Sequence, residues 1–309
     1  MSSGIQLDAT RIASTPIERY SVSKRTVLVK RDDLFGIAPA PPLGKLRGLQ
    51  VLLASYHSEG LNIVGCWDTR VSKLGQGLAA LVGNFPGMSA IVSYPTRRGC
   101  AVPKAVGIAA SLGAEIVPIR GNHVSICYAQ ITKVVRARGG KMLPFGLECW
   151  EAVRAVADEA ATLPADVVPS ATLVLSCGSG VTLAGLLLGL RATPRRVIGI
   201  SSGRSLTKIR ACVCRYVGTL PHFVDLRPSA LAYDIALEYS CPFPSHPNYD
   251  RKAWKFLVDN LGAFRVRDSR TNTCAPSPKR SQRWLRFSST SHRAQIQRLA
   301  SARVFRARH

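Results

Sequence analysis

Short apolar runs typical of strands alternate with longer runs of helical spacing between residues 26 and 201. The predicted strands are 26–30, 61–66, 88–93, 114–119, 171–175 and 196–201. The predicted helices are 44–59, 72–83, 103–112, 123–138, 148–160 and 183–190, with a further helix at 251–260. Such regular alternation predicts an α/β fold of open, mostly parallel twisted sheets with helices on both faces. Ligands of these folds bind at the carboxyl ends of the strands.

A glycine-rich loop, SCGSGVTLAG at 176–185, follows one predicted strand and leads into the next helix. Its glycines let main-chain N–H groups approach an anion, and the helix N-terminus adds about half a positive charge. Ser179 and Thr182 add hydroxyl donors. The loop has neither the lysine of a P-loop nor the spacing of a dinucleotide fingerprint. It therefore predicts a phosphate site of another class, with a plain strand-to-helix turn as the alternative.

Composition narrows the class of protein. The chain has 309 residues, 46% of them hydrophobic, which is enough for a substantial globular core. No apolar run is long enough to span a bilayer, and the N-terminus lacks the apolar core of a signal peptide. Nine cysteines without a disulfide framework predict reduced thiols and a cytoplasmic location. The close pair Cys212 and Cys214 has no second pair at zinc spacing, so no metal site is predicted.

Positive charge is concentrated at the C-terminal end. Of the net charge of +24, residues 263–309 carry +11, from twelve lysines and arginines and one aspartate. We expect residues 1–262 to form the folded domain and 263–309 a basic, disordered tail. The tail has three interpretations: neutral disorder, an arm that neutralises nucleic-acid phosphates, or sequence translated in a shifted frame.

A second informative segment lies near the N-terminus, where KRDDLFG at 30–36 leads through a proline-rich loop to LGKLRGL at 43–49. Lys45 follows a glycine at the predicted start of a helix. Partial desolvation and the positive helix end both favour its neutral amine, which can form a Schiff base with an aldehyde. An ordinary surface lysine on the first turn is the alternative.

Together, KRDDL, LGKLRGLQ and SCGSGVTLAG resemble the fold-type II pyridoxal-phosphate (PLP) enzymes, in particular the 1-aminocyclopropane-1-carboxylate (ACC) deaminase and D-cysteine desulfhydrase branch. The resemblance covers about residues 16–203, and Lys45 matches the branch's Schiff-base lysine. It implies PLP as cofactor and two subdomains, the smaller at about 50–140 inserted in the larger. We also expect a homodimer. The implied cofactor-binding residues of the loop are Cys177, Gly178, Ser179, Gly180, Val181 and Thr182.

Two segments depart from the branch pattern. Where the branch has S-N-[HQ], this chain reads DTRVSK. Thr69 keeps a hydroxyl and is a catalytic candidate, whereas Arg70 puts a cation at the cofactor-binding amide position. Arg70 or Lys73 could instead bind an acidic substrate group, or both could be solvated. The branch also has a Tyr-Gly segment near its C-terminus that approaches the substrate. The resemblance therefore makes Tyr239 a second catalytic candidate, with Tyr233 as the alternative.

The resemblance implies an enzyme that acts on an amino acid or amino-acid-like substrate through a Lys45 Schiff base. Deamination, β-elimination and decarboxylation are all compatible with these residues, with Lys45 as general acid and base. Two other hypotheses stay open. One is a nucleic-acid-associated PLP protein, for example one that modifies an amino-acid-decorated base. The other is a catalytically inactive paralogue of the family.

Overall fold

The computed structural model describes residues 14–35, 40–41, 43–121 and 123–264. The predicted basic tail therefore lies outside the described residues, apart from its first two. The strands are β1 (Ile17–Val22), β2 (Arg25–Lys30), β3 (Ile63–Trp67), β4 (Ser89–Thr96), β5 (Glu115–Arg120), β6 (Lys141–Met142), β7 (Thr172–Cys177), β8 (Arg196–Ser201) and β9 (Val224–Arg227). The helices are α1 (Leu46–Ser58), α2 (Leu74–Val82), α3 (Lys104–Ser111), α4 (Val124–Ala137), α5 (Trp150–Ala160), α6 (Val181–Gly189), α7 (Leu206–Val217) and α8 (Asp250–Asn260).

Two parallel sheets carry the fold. The first has the order β5-β4-β3-β6 and is built from residues 63–142, and the second has the order β7-β8-β9. Strands β3 and β4 are buried over most of their length because helices pack on them, which explains their nearly continuous apolar sequences. The predicted α/β class with parallel sheets is confirmed. The predicted subdomain boundaries stay a prediction.

The elements that the apolar pattern predicts are present, with ends shifted by a few residues. Strands β1, β6 and β9 and helix α7 were not predicted. Helix α7 does carry a helical pattern, because its buried residues Ile209, Cys212, Val213 and Tyr216 recur at intervals of three and four. Strand β1 pairs with β2 as an antiparallel hairpin, turned by Ser23 and Lys24 at positive φ.

Close packing fixes the start of α1 against α5. A Cβ at Gly48 would lie 2.2 Å from the Cα of Ala152, so only glycine permits this approach. The neighbouring Arg47 is buried, and its guanidinium forms ion pairs with Asp32 at 3.2 Å and Glu159 at 3.5 Å. Lys45, the residue before α1, is therefore held by a rigid part of the core.

Within the described ranges, no helix is both long and apolar enough to cross a membrane.

Candidate active site

Lys45 reaches from the start of α1 to the loop after β7. Its Nζ donates hydrogen bonds to the carbonyl of Gly146 and to Oγ of Ser179, each at 3.0 Å. Ser179 Oγ donates to the same carbonyl at 3.2 Å. The fold thus brings together two motifs that lie more than a hundred residues apart in the sequence.

The environment of Lys45 favours the neutral amine. Burial lowers the pKa of Lys45 from 10.5 to about 8, because the charged ammonium loses hydration in the cleft. The nearby Arg204 guanidinium lowers the pKa further, whereas the Glu148 carboxylate opposes the shift. An amine with this pKa is available as a nucleophile and as a proton carrier near neutral pH.

The glycine loop places a helix N-terminus beside this amine. Gly180 precedes α6 with φ +107°, a conformation that side-chain-bearing residues rarely adopt. A Cβ there would also lie 3.1 Å from the carbonyl oxygen of Ile209. The helix begins at Val181, two residues earlier than the sequence predicts. Its first main-chain N–H groups therefore belong to the predicted loop itself.

The six loop residues differ in what they offer a ligand. Gly178, Ser179 and Thr182 line a cleft of about 1610 Å³ that Lys45 also lines. The Cys177 thiol is buried against β8, and burial raises its pKa to about 12. Val181 is fully buried in the core. The side chains of Cys177 and Val181 thus pack the loop from behind, and only their main chains could serve a phosphate.

These features fit PLP. The Lys45 amine can meet an aldehyde, while the start of α6 and the hydroxyls of Ser179 and Thr182 suit a phosphate. The positive φ of Gly180 keeps this turn tight.

Three hydroxyls form another wall of the cleft. Thr69 Oγ1 and the Tyr233 hydroxyl share a hydrogen bond of 3.0 Å, and Tyr233 is hydrogen-bonded in turn to the Tyr249 hydroxyl. The two tyrosine rings meet edge-on, with centroids 5.7 Å apart. Burial raises the pKa of both tyrosines, so both hydroxyls keep their protons. Sequence reasoning missed Tyr249, although the aromatic loop PFPSHPNYD at 242–250 contains it.

Two predicted site residues are not brought to this cleft. Arg70 donates to the carbonyls of Pro95 at 3.4 Å and Ala101 at 2.6 Å, and it does not line the cleft. Tyr239 lies beneath Lys255, whose Nζ is 5.2 Å from the ring centroid, and it does not line the cleft either. Tyr233, the alternative to Tyr239, does line the cleft.

Two further groups line the cleft near the hydroxyl wall, Lys73 and His246. The His246 ring packs edge-on against Tyr249, with centroids 5.0 Å apart. Burial lowers the pKa of His246 to about 4, and the positive charges of Lys73 and Arg251 lower it further. The imidazole is therefore neutral at physiological pH.

Comparisons with known proteins bear on this site. No protein-family model matches the chain. The glycyl-dTMP PLP-dependent decarboxylase of Pseudomonas phage M6 is 31% identical over 259 residues, covering 80% of this chain and 92% of the relative. The crystal structure of an ACC deaminase homologue superposes with a TM-score of 0.64 and 21% identity, covering 80% of this chain and 84% of that one. A hydrogen sulfide-producing enzyme from Fusobacterium nucleatum gives a TM-score of 0.52 and 14% identity over 70% of this chain and 77% of that one.

A lysine amine set against a phosphate-type loop is the arrangement that PLP requires, and together with the phage relative it shows that this chain is a PLP-dependent enzyme. The chain belongs to the fold-type II family of these enzymes, and its fold is that of the ACC deaminase homologue. The predicted family and the predicted cofactor are confirmed.

Proposed function

We propose that this protein is a PLP-dependent decarboxylase whose substrate is an amino-acid group joined to a thymidine nucleotide. The observation that carries the cofactor chemistry is the contact of Lys45 Nζ with Ser179 Oγ at the start of α6. The phage M6 relative, a glycyl-dTMP decarboxylase by name, favours decarboxylation over deamination and β-elimination. It also favours an amino acid carried on a nucleotide over a free amino acid.

The first role of the chain is to hold the cofactor. When bound, PLP supplies an aldehyde that bonds an amine and a ring that withdraws electrons from the substrate α-carbon. Lys45 is the amine for that aldehyde. Ser179, Thr182 and the first N–H groups of α6 would bind the phosphate, and Gly178 and Gly180 would let the main chain approach it.

The second role is to move one proton. Decarboxylation breaks the bond between the α-carbon and the carboxyl carbon, and carbon dioxide leaves without the bonding electrons. The α-carbon keeps that electron pair and needs a proton. Lys45 is the donor, because its amine lines the cleft and its pKa of about 8 allows proton exchange near neutral pH.

The hydroxyl wall orients the substrate. Thr69, Tyr233 and Tyr249 are neutral hydrogen-bonding groups held by one another, so their positions are fixed before the substrate binds. Arg70 has a structural role in this proposal, because its guanidinium ties the segment after β3 to the carbonyls of Pro95 and Ala101. The predicted homodimer and cytoplasmic location stay predictions.

The test uses the full chain loaded with PLP and glycyl-dTMP as substrate. We expect carbon dioxide and the corresponding amine in equal amounts, and a loss of roughly 10²-fold or more in rate for Lys45→Ala. Lys104→Ala is the matched control, since Lys104 is an exposed lysine at the start of α3, away from the cleft. Release of ammonia without carbon dioxide, or equal rates in Lys45→Ala and wild type, would overturn the proposal.

A further inference from the structure

Three cations line the cleft beside the phosphate loop, and no part of the substrate has been assigned to them. They are Arg204, Lys208 and Arg215. We propose that they form a binding site for the phosphate of a thymidine nucleotide, free or within a DNA strand. This inference rests on the proposed function and names the part of the cleft that holds the nucleotide.

Helix geometry puts the cations on one surface. Lys208 and Arg215 are seven residues apart on α7, so their side chains project from the same face, and Ala211 and Cys212 between them also line the cleft. Arg204 lies two residues before the helix begins. The three charges therefore follow one edge of the cleft.

The charge of this group is not balanced. Glu148 is the carboxylate that pairs with it, binding Arg204 through Oε1 and Arg215 through Oε2, the latter at 3.5 Å. Within the described part of the chain, no carboxylate forms an ion pair with Lys208. Three cations thus face one carboxylate. The Arg215 side chain is 59% exposed and that of Glu148 only 12%, so the surplus positive charge is on the accessible groups.

The cation group adjoins the reacting centre and borders the loop that holds Ser179. Arg204 Nη1 donates to the carbonyl of Ser179 at 3.3 Å, and the hydroxyl of that same residue contacts Lys45. From there the cations extend along α7. The cleft, at about 1610 Å³, exceeds the volume of roughly 300–1,000 Å³ that holds a typical small ligand. It therefore has room for a second phosphate-bearing group beside the cofactor.

The chemistry of the three side chains selects phosphate. An arginine guanidinium binds phosphate oxygens through two parallel hydrogen bonds, and a lysine adds a strongly hydrated point charge. A nucleotide joined to an amino acid presents such a phosphate at the far end from the reacting α-carbon. In this arrangement the phosphate of the substrate lies against the three cations and its amino-acid group lies against Lys45, which lines the same cleft.

Binding without turnover tests this inference on PLP-loaded full-length protein. Equilibrium dialysis measures the affinity for dTMP, and fluorescence anisotropy measures the affinity for a labelled single-stranded thymidine oligonucleotide. We expect Lys208→Gln and Arg215→Gln each to weaken binding by about 5-fold, the effect of one exposed charge pair, and to lower the oligonucleotide's salt slope by about one. A loss of affinity for dTMP indicates that the site binds a free nucleotide. A loss of affinity for the oligonucleotide alone indicates that it binds a nucleotide within a strand. Both losses support the site.

Arg210→Gln is the control, because Arg210 is exposed on α7 but does not line the cleft. Unchanged binding of both probes in both test variants, or an equal loss in Arg210→Gln, would overturn the inference. A parallel loss of PLP binding would also overturn it, since the cations would then serve the cofactor. Because no turnover is measured, these outcomes are independent of whether the protein is a decarboxylase.

Discussion

Gly180→Ala is a sharp perturbation of the phosphate loop. The φ of +107° at this position is a region that alanine occupies at a cost of about 1–3 kcal/mol. The added Cβ would also lie 3.1 Å from the Ile209 carbonyl oxygen and 3.3 Å from the Cys212 Cβ, so α7 would have to shift by a few tenths of an ångström. The strain must appear either in the stability of the folded protein or in its affinity for PLP.

Two assays measure where this strain energy appears. If the loop keeps its shape, the free energy of unfolding in urea falls by about 1–3 kcal/mol. If the loop relaxes in the PLP-free protein, PLP affinity falls instead, by about 5-fold to 150-fold for the same energy. Gly107→Ala is the control, because a Cβ there meets nothing within 4 Å and α3 is a helix, where alanine is favoured. Unchanged stability and unchanged PLP affinity in Gly180→Ala would refute the reasoning.

Three further predictions concern the cleft and its support. Because the neutral amine is the form that bonds to an aldehyde and the pKa of Lys45 is about 8, the rate at which PLP bonds to Lys45 should rise with pH around a midpoint of about 8 and then level off. Stopped-flow absorbance showing a continued rise through pH 10 would contradict this. Tyr249→Phe should lower kcat for decarboxylation about 10-fold through one lost hydrogen bond, whereas Tyr239→Phe should leave kcat unchanged. Equal effects of the two substitutions on kcat would contradict the placement of Tyr249, and not Tyr239, at the active site. Arg47→Met should lower the free energy of unfolding by about 1–3 kcal/mol, because it removes the ion pairs of the buried guanidinium with Asp32 and Glu159 while Glu159 keeps its ion pair with Lys30. Urea unfolding measures this, and no loss would contradict it.

The parts of the site that sequence reasoning found are those encoded in short contiguous motifs. Lys45 and the loop at 176–185 each carry a local signal, a lysine at a helix start and a glycine turn between strand and helix. The class of fold followed from the alternation of apolar runs, since most of the predicted strands lie in the two parallel sheets, whereas the run at 26–30 forms β2 of the antiparallel hairpin. Such local patterns can be recognised in the sequence without knowing which distant residues they contact.

The parts that sequence reasoning missed depend on tertiary contacts. Tyr249 was missed, and Tyr233 was named only as the alternative to Tyr239. The two tyrosines meet across an irregular segment with no periodicity, so the sequence offered no reason to prefer them. Arg70 was expected at the cofactor because of its position in a motif, but its long side chain instead donates hydrogen bonds to main-chain carbonyls outside the cleft. The surplus positive charge along α7 could not be predicted from the sequence, because Glu148, which pairs with Arg204 and Arg215, lies far from them along the chain.

The central claim is that Lys45 is the amine to which PLP bonds. The direct measurement is the absorption spectrum of the purified full chain with added PLP. We predict a Schiff-base band in the wild-type protein that is absent from Lys45→Ala and present in the exposed-lysine control Lys104→Ala. A wild-type protein without the band, or a band that persists in Lys45→Ala, would contradict the account.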